Sequence, residues 1–257
     1  MERDPGVGAP PAGGPPPVHV GRDGGCRGLL HQAAGGGRLT GSFDGFAEAY
    51  ERAASLEPSP LDGWLLNQLP PRGGRALDAG CGSGRHSLLL ADRFDEVLAV
   101  DISAPLIEIA RRRRPHPRVC YQVRDLLTVE EPPFDLVLST ATLHHLPDLE
   151  AALSHLRGLV AGRGAAILAD VVSSWTPPRW AYLAGAWRNF PADVLGLGWR
   201  SASWLRRFRT CPEWLDHLAG DSYLTRAAFE ERYGAQFAGG RFVQLGNLHA
   251  LIWRRAG

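Results

Sequence analysis

A glycine-rich turn between a predicted buried strand and a predicted helix constrains this fold more than any other feature. The turn reads Asp78-Ala79-Gly80-Cys81-Gly82-Ser83-Gly84 and follows an apolar strand predicted at 75–79. Glycines at such a point let the backbone turn tightly and approach a ligand with no side chain in the way. The spacing is GxGxG instead of the GxGxxG of dinucleotide-binding folds. The pattern favours a ligand-binding turn, and a purely structural turn is the alternative.

Strands and helices alternate along most of the chain. We predict strands at 75–79, 96–100, 119–123, 134–139 and 165–172, separated by helices at 85–93, 103–114 and 149–160. Strands separated by helices of this length form a parallel, doubly wound sheet. Two further strands, 241–245 and 248–254, are separated only by Gly246-Asn247, which allows a hairpin and forbids a parallel crossover. The predicted fold is therefore α/β, a Rossmann-like seven-stranded sheet, mostly parallel with an antiparallel C-terminal strand.

The chain divides into three parts by composition. Residues 1–41 contain twelve Gly and six Pro, so they can bury little apolar surface and are expected to form a disordered tail. Residues 42–257 are expected to form one domain, which begins with two short helices around Phe43–Tyr50 and Leu61–Leu69. Within it, residues 173–220 break the alternation and hold six of the eight Trp. We interpret that stretch as a helical insertion that caps a binding site for a substrate.

Composition excludes several classes of function. The chain has no Lys, which excludes Schiff-base, pyridoxal-phosphate, P-loop and kinase chemistry. The net charge of +1 attracts neither nucleic acid nor an anionic membrane, so no nucleic-acid partner is expected. The four Cys lie far apart and predict neither a disulfide framework nor a metal site. No apolar run is long enough for membrane insertion, and we expect a cytoplasmic protein; no particular oligomeric state is predicted.

Acidic residues follow three consecutive predicted strands. Asp78 opens the glycine turn, Asp101 ends the second strand and Asp125 follows the third. The carboxyl ends of parallel strands meet at one edge of the sheet, where ligands of such folds bind. There Asp101 could accept both hydroxyls of a ribose, and Asp125 could accept from an exocyclic amino group. Taken singly, each acid could equally be a helix-terminal or loop charge.

This combination resembles the class I S-adenosylmethionine-dependent methyltransferases. The residues that carry the resemblance are Leu77–Gly84, Val100-Asp101-Ile102-Ser103, Asp125, and Phe134–Ser139 leading to Leu143-His144-His145-Leu146. It extends from about Phe43 to the C-terminus. The pattern is most similar to the small-molecule branch, including ubiquinone and menaquinone biosynthesis methyltransferases. Ser139-Thr140-Ala141-Thr142 stands where base N-methylating members have Asn/Asp-Pro-Pro-Tyr/Phe, which argues against a nucleic-acid base as acceptor.

The resemblance implies S-adenosyl-L-methionine as cofactor and a role for each matching residue. Asp78 would support the turn, and the glycines would pass beneath the methionine portion. Asp101 would hold the ribose, and Asp125 the adenine amino group. The full set of implied cofactor-binding residues is Tyr50, Asp78, Gly80, Gly82, Gly84, Asp101, Ile102, Asp125, Leu126 and Ser139. Of these, Ile102 and Leu126 would pack against adenine, the backbone near Ser139 would meet the methionine amine, and Tyr50 would cover the cofactor.

Two further sets of residues are candidates on the acceptor side. His144 or His145 could remove a proton from the acceptor, or the pair could only shape the loop. Trp180 and Trp187 could form walls of an acceptor pocket, or they could fill the core of a structural cap. The expected function is methyl transfer to O, N or C of a small organic acceptor, in natural-product or secondary metabolism. The alternatives are the same fold and cofactor used for another reaction such as cyclisation, an RNA-modifying enzyme, or a non-catalytic binding protein.

Overall fold

The computed structural model describes residues 43–57, 59–131, 133–175 and 177–256. The tail expected to be disordered, residues 1–41, lies outside the described residues. Helices cover both faces of a central sheet, and the helices are α1 (Ala47–Leu56), α2 (Pro60–Gln68), α3 (Arg85–Ala91), α4 (Ala104–Arg113), α5 (Leu149–Gly158), α6 (Arg179–Arg209), α7 (Pro212–Gly220) and α8 (Arg226–Gln236).

The sheet has seven strands in the order β3-β2-β1-β4-β5-β7-β6. The strands are β1 (Gly73–Ala79), β2 (Phe94–Asp101), β3 (Val119–Val123), β4 (Phe134–Thr140), β5 (Val160–Val171), β6 (Arg241–Leu245) and β7 (Leu248–Arg254). β1 to β5 are parallel, and β7 runs antiparallel to both β5 and β6. The chain order reverses between β1 and β4, which is where such sheets form a ligand crevice. The predicted fold class is confirmed.

The central strands are buried on both faces because helices cover the sheet from both sides. Leu77 of β1 packs in a cluster with α5 and α8 side chains such as Leu153 and Phe229. Its neighbour Ala76 points to the opposite face and packs with Leu65 of α2 and with α3. The near-continuous apolar run of β1 is thus divided between two cores, as the period-two alternation of a strand requires.

Local signals in the sequence set the helix starts. Ser103 caps α4 by accepting from the Leu106 amide, and Asp148 caps α5 by accepting from the Ala151 amide. Pro60 is the first residue of α2. A proline fits there because its missing N–H needs no partner in the first helical turn.

The C-terminal hairpin turns through Gly246, whose φ is +64°. A left-handed conformation in a two-residue turn suits glycine and matches the twist of the flanking strands. Leu168 of β5 faces Leu251 of β7, so β7 extends the sheet in the antiparallel sense.

Helices α6 and α7 occupy most of the Trp-rich stretch. α6 contains Pro191 and changes direction at Gly198, whose φ of 77° and ψ of 160° are not helical. Its last turns pack on α1, where Leu205 and Phe208 contact Ala53. Its first part exposes large apolar side chains, among them Trp180. No helix among the described residues is both long and apolar enough to span a membrane.

Candidate functional site

The glycine turn joins β1 to α3 in a conformation that needs its glycines. Gly80, Gly82 and Gly84 have φ of 78°, 53° and 80°, in the region that side chains rarely adopt. A Cβ on Gly80 would lie 2.2 Å from the side chain of Thr142. A Cβ on Gly82 would meet nothing within 4 Å, so this part of the turn borders open space. The turn therefore presents bare backbone toward the carboxyl edge of the sheet.

Asp78 lies beneath this turn and is 1% exposed. Its Oδ2 accepts the hydroxyl of Ser87 at 2.6 Å, whereas its Oδ1 has no hydrogen-bond partner among the described residues. Burial raises the pKa of this carboxyl. A buried carboxylate oxygen without a donor is costly, so the position fits a ligand that brings one, such as an ammonium group. This orphaned oxygen is the structural evidence that the predicted cofactor fits the turn.

Asp101 ends β2 on the other side of the turn. Its Oδ2 accepts the Gly82 amide and its Oδ1 accepts the Ser103 amide, each at 2.8 Å. Burial raises the pKa of Asp101, although both hydrogen bonds oppose that shift. Each carboxylate oxygen keeps a further lone pair, so two hydroxyl donors could still be accepted. Ile102, the next residue, is 37% exposed and offers an apolar surface at the same edge.

Asp125 lies at the same edge of the sheet, but the side chain of the next residue, Leu126, is buried. The Oδ1 of Asp125 accepts the Leu127 amide at 2.9 Å, which caps a short 3₁₀ turn after β3. Leu126, expected to pack against adenine, is 6% exposed and belongs to the main hydrophobic core. The turn after Asp125 therefore directs the Leu126 side chain into the core.

Ser139 lies at the end of β4, and Tyr50 lies on α1. The hydroxyl of Ser139 donates to the Ala79 carbonyl at 2.9 Å and joins the ends of β4 and β1. Tyr50, on α1, contacts the rings of Phe43 and Trp214 at 4.7 and 6.0 Å. Burial, and next the charge of Asp101, raise the pKa of Tyr50.

A buried ion pair anchors α1 to the glycine turn, and the sequence analysis missed it. Glu51 accepts the hydroxyl of Ser83 and a hydrogen bond from Arg114 at 2.7 Å. Burial acts to raise the pKa of Glu51, but the bonds from Arg114 and Ser83 outweigh it and the pKa is lowered. No local pattern marks Glu51, because its partners lie 32 and 63 residues away.

His144 and His145 form part of a cluster after β4. The Nδ1 of His144 lies 2.5 Å from Oδ1 of Asp170, and the His144 amide donates to Oδ2 of Asp170 at 2.9 Å. Asp221 lies 3.2 Å from His145 Nδ1, 3.9 Å from His144 Nε2 and 3.7 Å from His217 Nε2. Burial acts to lower the pKa of His144, but the hydrogen bond and charge of Asp170 outweigh it and the pKa is raised.

Sequence reasoning missed three members of this cluster. Asp170 lies near the carboxyl end of β5, so the rule that singled out Asp78, Asp101 and Asp125 could have found it. Asp221 lies in a loop, and His217 lies near the end of α7. No local sequence pattern predicts a functional role for either residue. Burial acts to raise the pKa of Asp221, but hydrogen bonds from His145 and Tyr223, with nearby imidazole charge, lower it.

A cavity of about 820 Å³ lies among α1, α6 and α7. Tyr50 forms part of its wall, and Trp180 and Tyr182 supply further aromatic walls. Arg188, Asn189 and Arg209 are polar lining residues on α6. Trp187 does not line the cavity, because its ring packs against the Arg206 guanidinium at 4.1 Å. Of the two predicted acceptor-site tryptophans, only Trp180 borders this space.

Part of the chain is similar in sequence to known methyltransferases. Residues 77–168 match the family described as "Methyltransferase domain". An uncharacterised methyltransferase of Mycobacterium bovis is 42% identical over 103 residues, which are 39% of this chain and 52% of that protein. The malonyl-[acyl-carrier protein] O-methyltransferase of Halorhodospira halophila is 34% identical over 154 residues, 57% of this chain and 50% of that protein. The chain thus spans about half the length of these curated relatives.

The fold also resembles a solved complex of DhpI with SAH. The two chains are 20% identical, with a TM-score of 0.54, over 84% of this chain and 90% of that chain. At this level of identity the likeness concerns the fold. It covers the helices outside the matched family segment as well as the sheet.

Proposed function

We propose that this chain, whose residues 77–168 match a methyltransferase domain family, transfers a methyl group from S-adenosylmethionine to a small organic acceptor. One observation carries the proposal. The glycine turn presents bare backbone between the buried carboxylate of Asp78 and the half-buried carboxylate of Asp101 at the carboxyl edge of the sheet. When bound, the cofactor supplies a methyl group on an activated sulfonium sulfur.

Different residues around the glycine turn bind different parts of the cofactor. Asp101 accepts the ribose hydroxyls, and Ile102 offers its exposed side chain to the adenine ring. Asp125 takes the adenine amino group through the oxygen that does not cap the 3₁₀ turn. The free Oδ1 of Asp78 takes the methionine ammonium, directly or through water, beside the backbone of Ser139. Gly82, where a Cβ would meet nothing within 4 Å, leaves room for the ligand.

The acceptor side is assigned to the cavity among α1, α6 and α7. Its volume is in the range typical of small-molecule sites. Trp180 and Tyr182 supply aromatic walls for the acceptor, and Tyr50 lines the same cavity. Arg188 has no hydrogen-bond or ion-pair partner among the described residues and is available to an anionic group of the acceptor.

His144 and His145 lie next to the cofactor side. Both residues lie in the turn that follows β4, at the same carboxyl edge of the sheet as Asp101. Asp170 fixes the orientation of His144 through both its ring and its backbone amide. Both imidazoles are assigned to the positioning of the acceptor atom that receives the methyl group.

The proposal is tested by methyl transfer from radiolabelled S-adenosylmethionine to a cell extract, with and without ribonuclease. Label in a small-molecule fraction, unchanged by ribonuclease, is the expected result. Label that ribonuclease removes would identify an RNA-modifying enzyme instead. Cofactor binding without any labelled product would favour a non-methylating reaction or a binding protein.

A further inference from the structure

Three side chains beside the proposed cofactor site are arranged as ligands of one ion. In the part of the chain that the structure describes, His144, His145 and Asp221 each offer a ligand atom within 4.8 Å of the other two. The nitrogens lie 3.2 and 3.9 Å from the Asp221 oxygens. Ligands about 2.0–2.2 Å from a tetrahedral zinc ion are themselves about 3.4 Å apart. The cluster therefore needs only small side-chain movements to coordinate an ion.

The orientation of His144 prepares one ring nitrogen for coordination. Asp170 lies 2.5 Å from Nδ1 and so holds the proton on that nitrogen. In the neutral imidazole Nε2 then carries the lone pair, 3.9 Å from a carboxylate oxygen of Asp221. A metal ion between these two atoms would take the place of the proton that Nε2 otherwise carries. A carboxylate–histidine pair of this kind behind a metal ligand fixes the ring and raises its basicity.

The ligand types select the class of ion. Two imidazoles and one carboxylate suit zinc and similar divalent transition metals, whereas Mg²⁺ and Ca²⁺ prefer all-oxygen sites. Three protein ligands leave a fourth position open, as in catalytic zinc sites. His217, whose Nε2 lies 3.7 Å from Asp221, borders that position. The open position suits an oxygen of water or of the acceptor.

We propose that His144, His145 and Asp221 bind one divalent transition-metal ion next to the methyl donor, with Asp170 orienting His144. The placement of this ion on the acceptor side rests on the proposed function. The binding of the ion itself does not, because the ligands converge whatever reaction the chain catalyses. An acceptor with an oxygen close to the methylated atom is the substrate class that such a site favours.

The test is a calorimetric titration of Zn²⁺ into the full chain, dialysed against a chelator and free of cofactor. We expect one ion per chain with a Kd of about 1 µM or tighter. His145→Ala removes the most exposed ligand, and Asp221→Asn keeps the shape of another; both should weaken Zn²⁺ binding at least about 100-fold. Asp170→Asn should weaken it about 10–100-fold. His116→Ala, which alters a histidine outside the cluster, should leave the Kd unchanged.

A wild-type chain that fails to bind Zn²⁺ would overturn the inference, and so would His145→Ala and Asp221→Asn variants that bind it like wild type. Co²⁺ gives a second readout, because its visible absorption on wild type should be lost in His145→Ala. Methyl transfer without Zn²⁺ binding would contradict the metal site and leave the proposed function intact. Zn²⁺ binding without methyl transfer would support the metal site and contradict the proposed function.

Discussion

The carboxylate of Asp101 and the backbone amide of Gly82 are hydrogen-bonded at 2.8 Å, although 19 residues separate them in sequence. The contact joins the end of β2 to the open part of the glycine turn. It places an acceptor of hydroxyl groups next to backbone that no side chain covers. The two strongest sequence signals of the chain, the glycine turn and the acid at the end of β2, thus meet in one place.

Gly80→Ala should destabilise the fold and weaken the binding of S-adenosylhomocysteine (SAH). The new Cβ lies 2.2 Å from Thr142 at a φ of +78°, so both a clash and backbone strain oppose the variant. Strain of this kind costs about 1–3 kcal/mol. Gly63→Ala is the matched control, because its Cβ meets nothing within 4 Å and a helical alanine is favoured by about 0.5–1 kcal/mol. Thermal unfolding of both variants makes the comparison; equal melting temperatures would contradict it.

Glu51→Gln should lower the stability of the fold in a pH-dependent way. The pKa of Glu51 is held below its ordinary value of 4.5, so ionised Glu51 stabilises the fold fully above pH 4.5. That stability is lost as the pH falls through the lower, folded pKa. Relative to wild type, the variant should lose about 1–3 kcal/mol at pH 7 and less in acid.

Urea unfolding between pH 3 and pH 8 measures this effect. Glu108→Gln, which alters an exposed carboxylate on α4, serves as control and should track wild type. A stability difference between wild type and Glu51→Gln that grows toward low pH would show that the ion pair with Arg114 is not its cause.

Trp180→Ala should lower methyl-transfer activity and leave SAH affinity within about twofold. Trp180 lines the cavity among α1, α6 and α7, whereas Trp187 packs against Arg206 outside it. The interaction of the Trp180 ring with the acceptor should contribute about 1.5–3 kcal/mol, and its loss corresponds to roughly a 10–150-fold fall in kcat/KM. Trp187→Ala is the control and should keep wild-type activity. A fall in activity for both variants, with lower melting temperatures, would indicate that α6 acts only as a structural cap.

Sequence patterns predicted the parts of this fold that local physical chemistry decides. Ser103 starts a helix because its side chain caps the first turn, and Gly246-Asn247 is too short for anything but a hairpin. Asp101 could be placed because parallel strands end at one edge. These inferences needed no knowledge of distant contacts.

The rest of the site depends on tertiary contacts. Leu126 and Trp187 have the residue types that the prediction required, but packing directs the first into the core and the second toward Arg206. Glu51 and Asp221 are ordinary acids in sequence. Their roles come from partners that only the folded chain brings close.

The most direct test of the proposed function is a calorimetric titration of SAH into wild type, Asp101→Asn and Asp101→Ala. Removal of the carboxylate should cost about 1.5–3 kcal/mol, or roughly 10–150-fold in Kd, and Asp101→Asn should lose less because it keeps one acceptor oxygen. Melting temperatures recorded in parallel separate lost contacts from lost folding. The account predicts tight SAH binding by wild type that weakens in this order, with no binding of NAD. Wild-type affinity in Asp101→Ala, or tight binding of NAD by wild type, would contradict it.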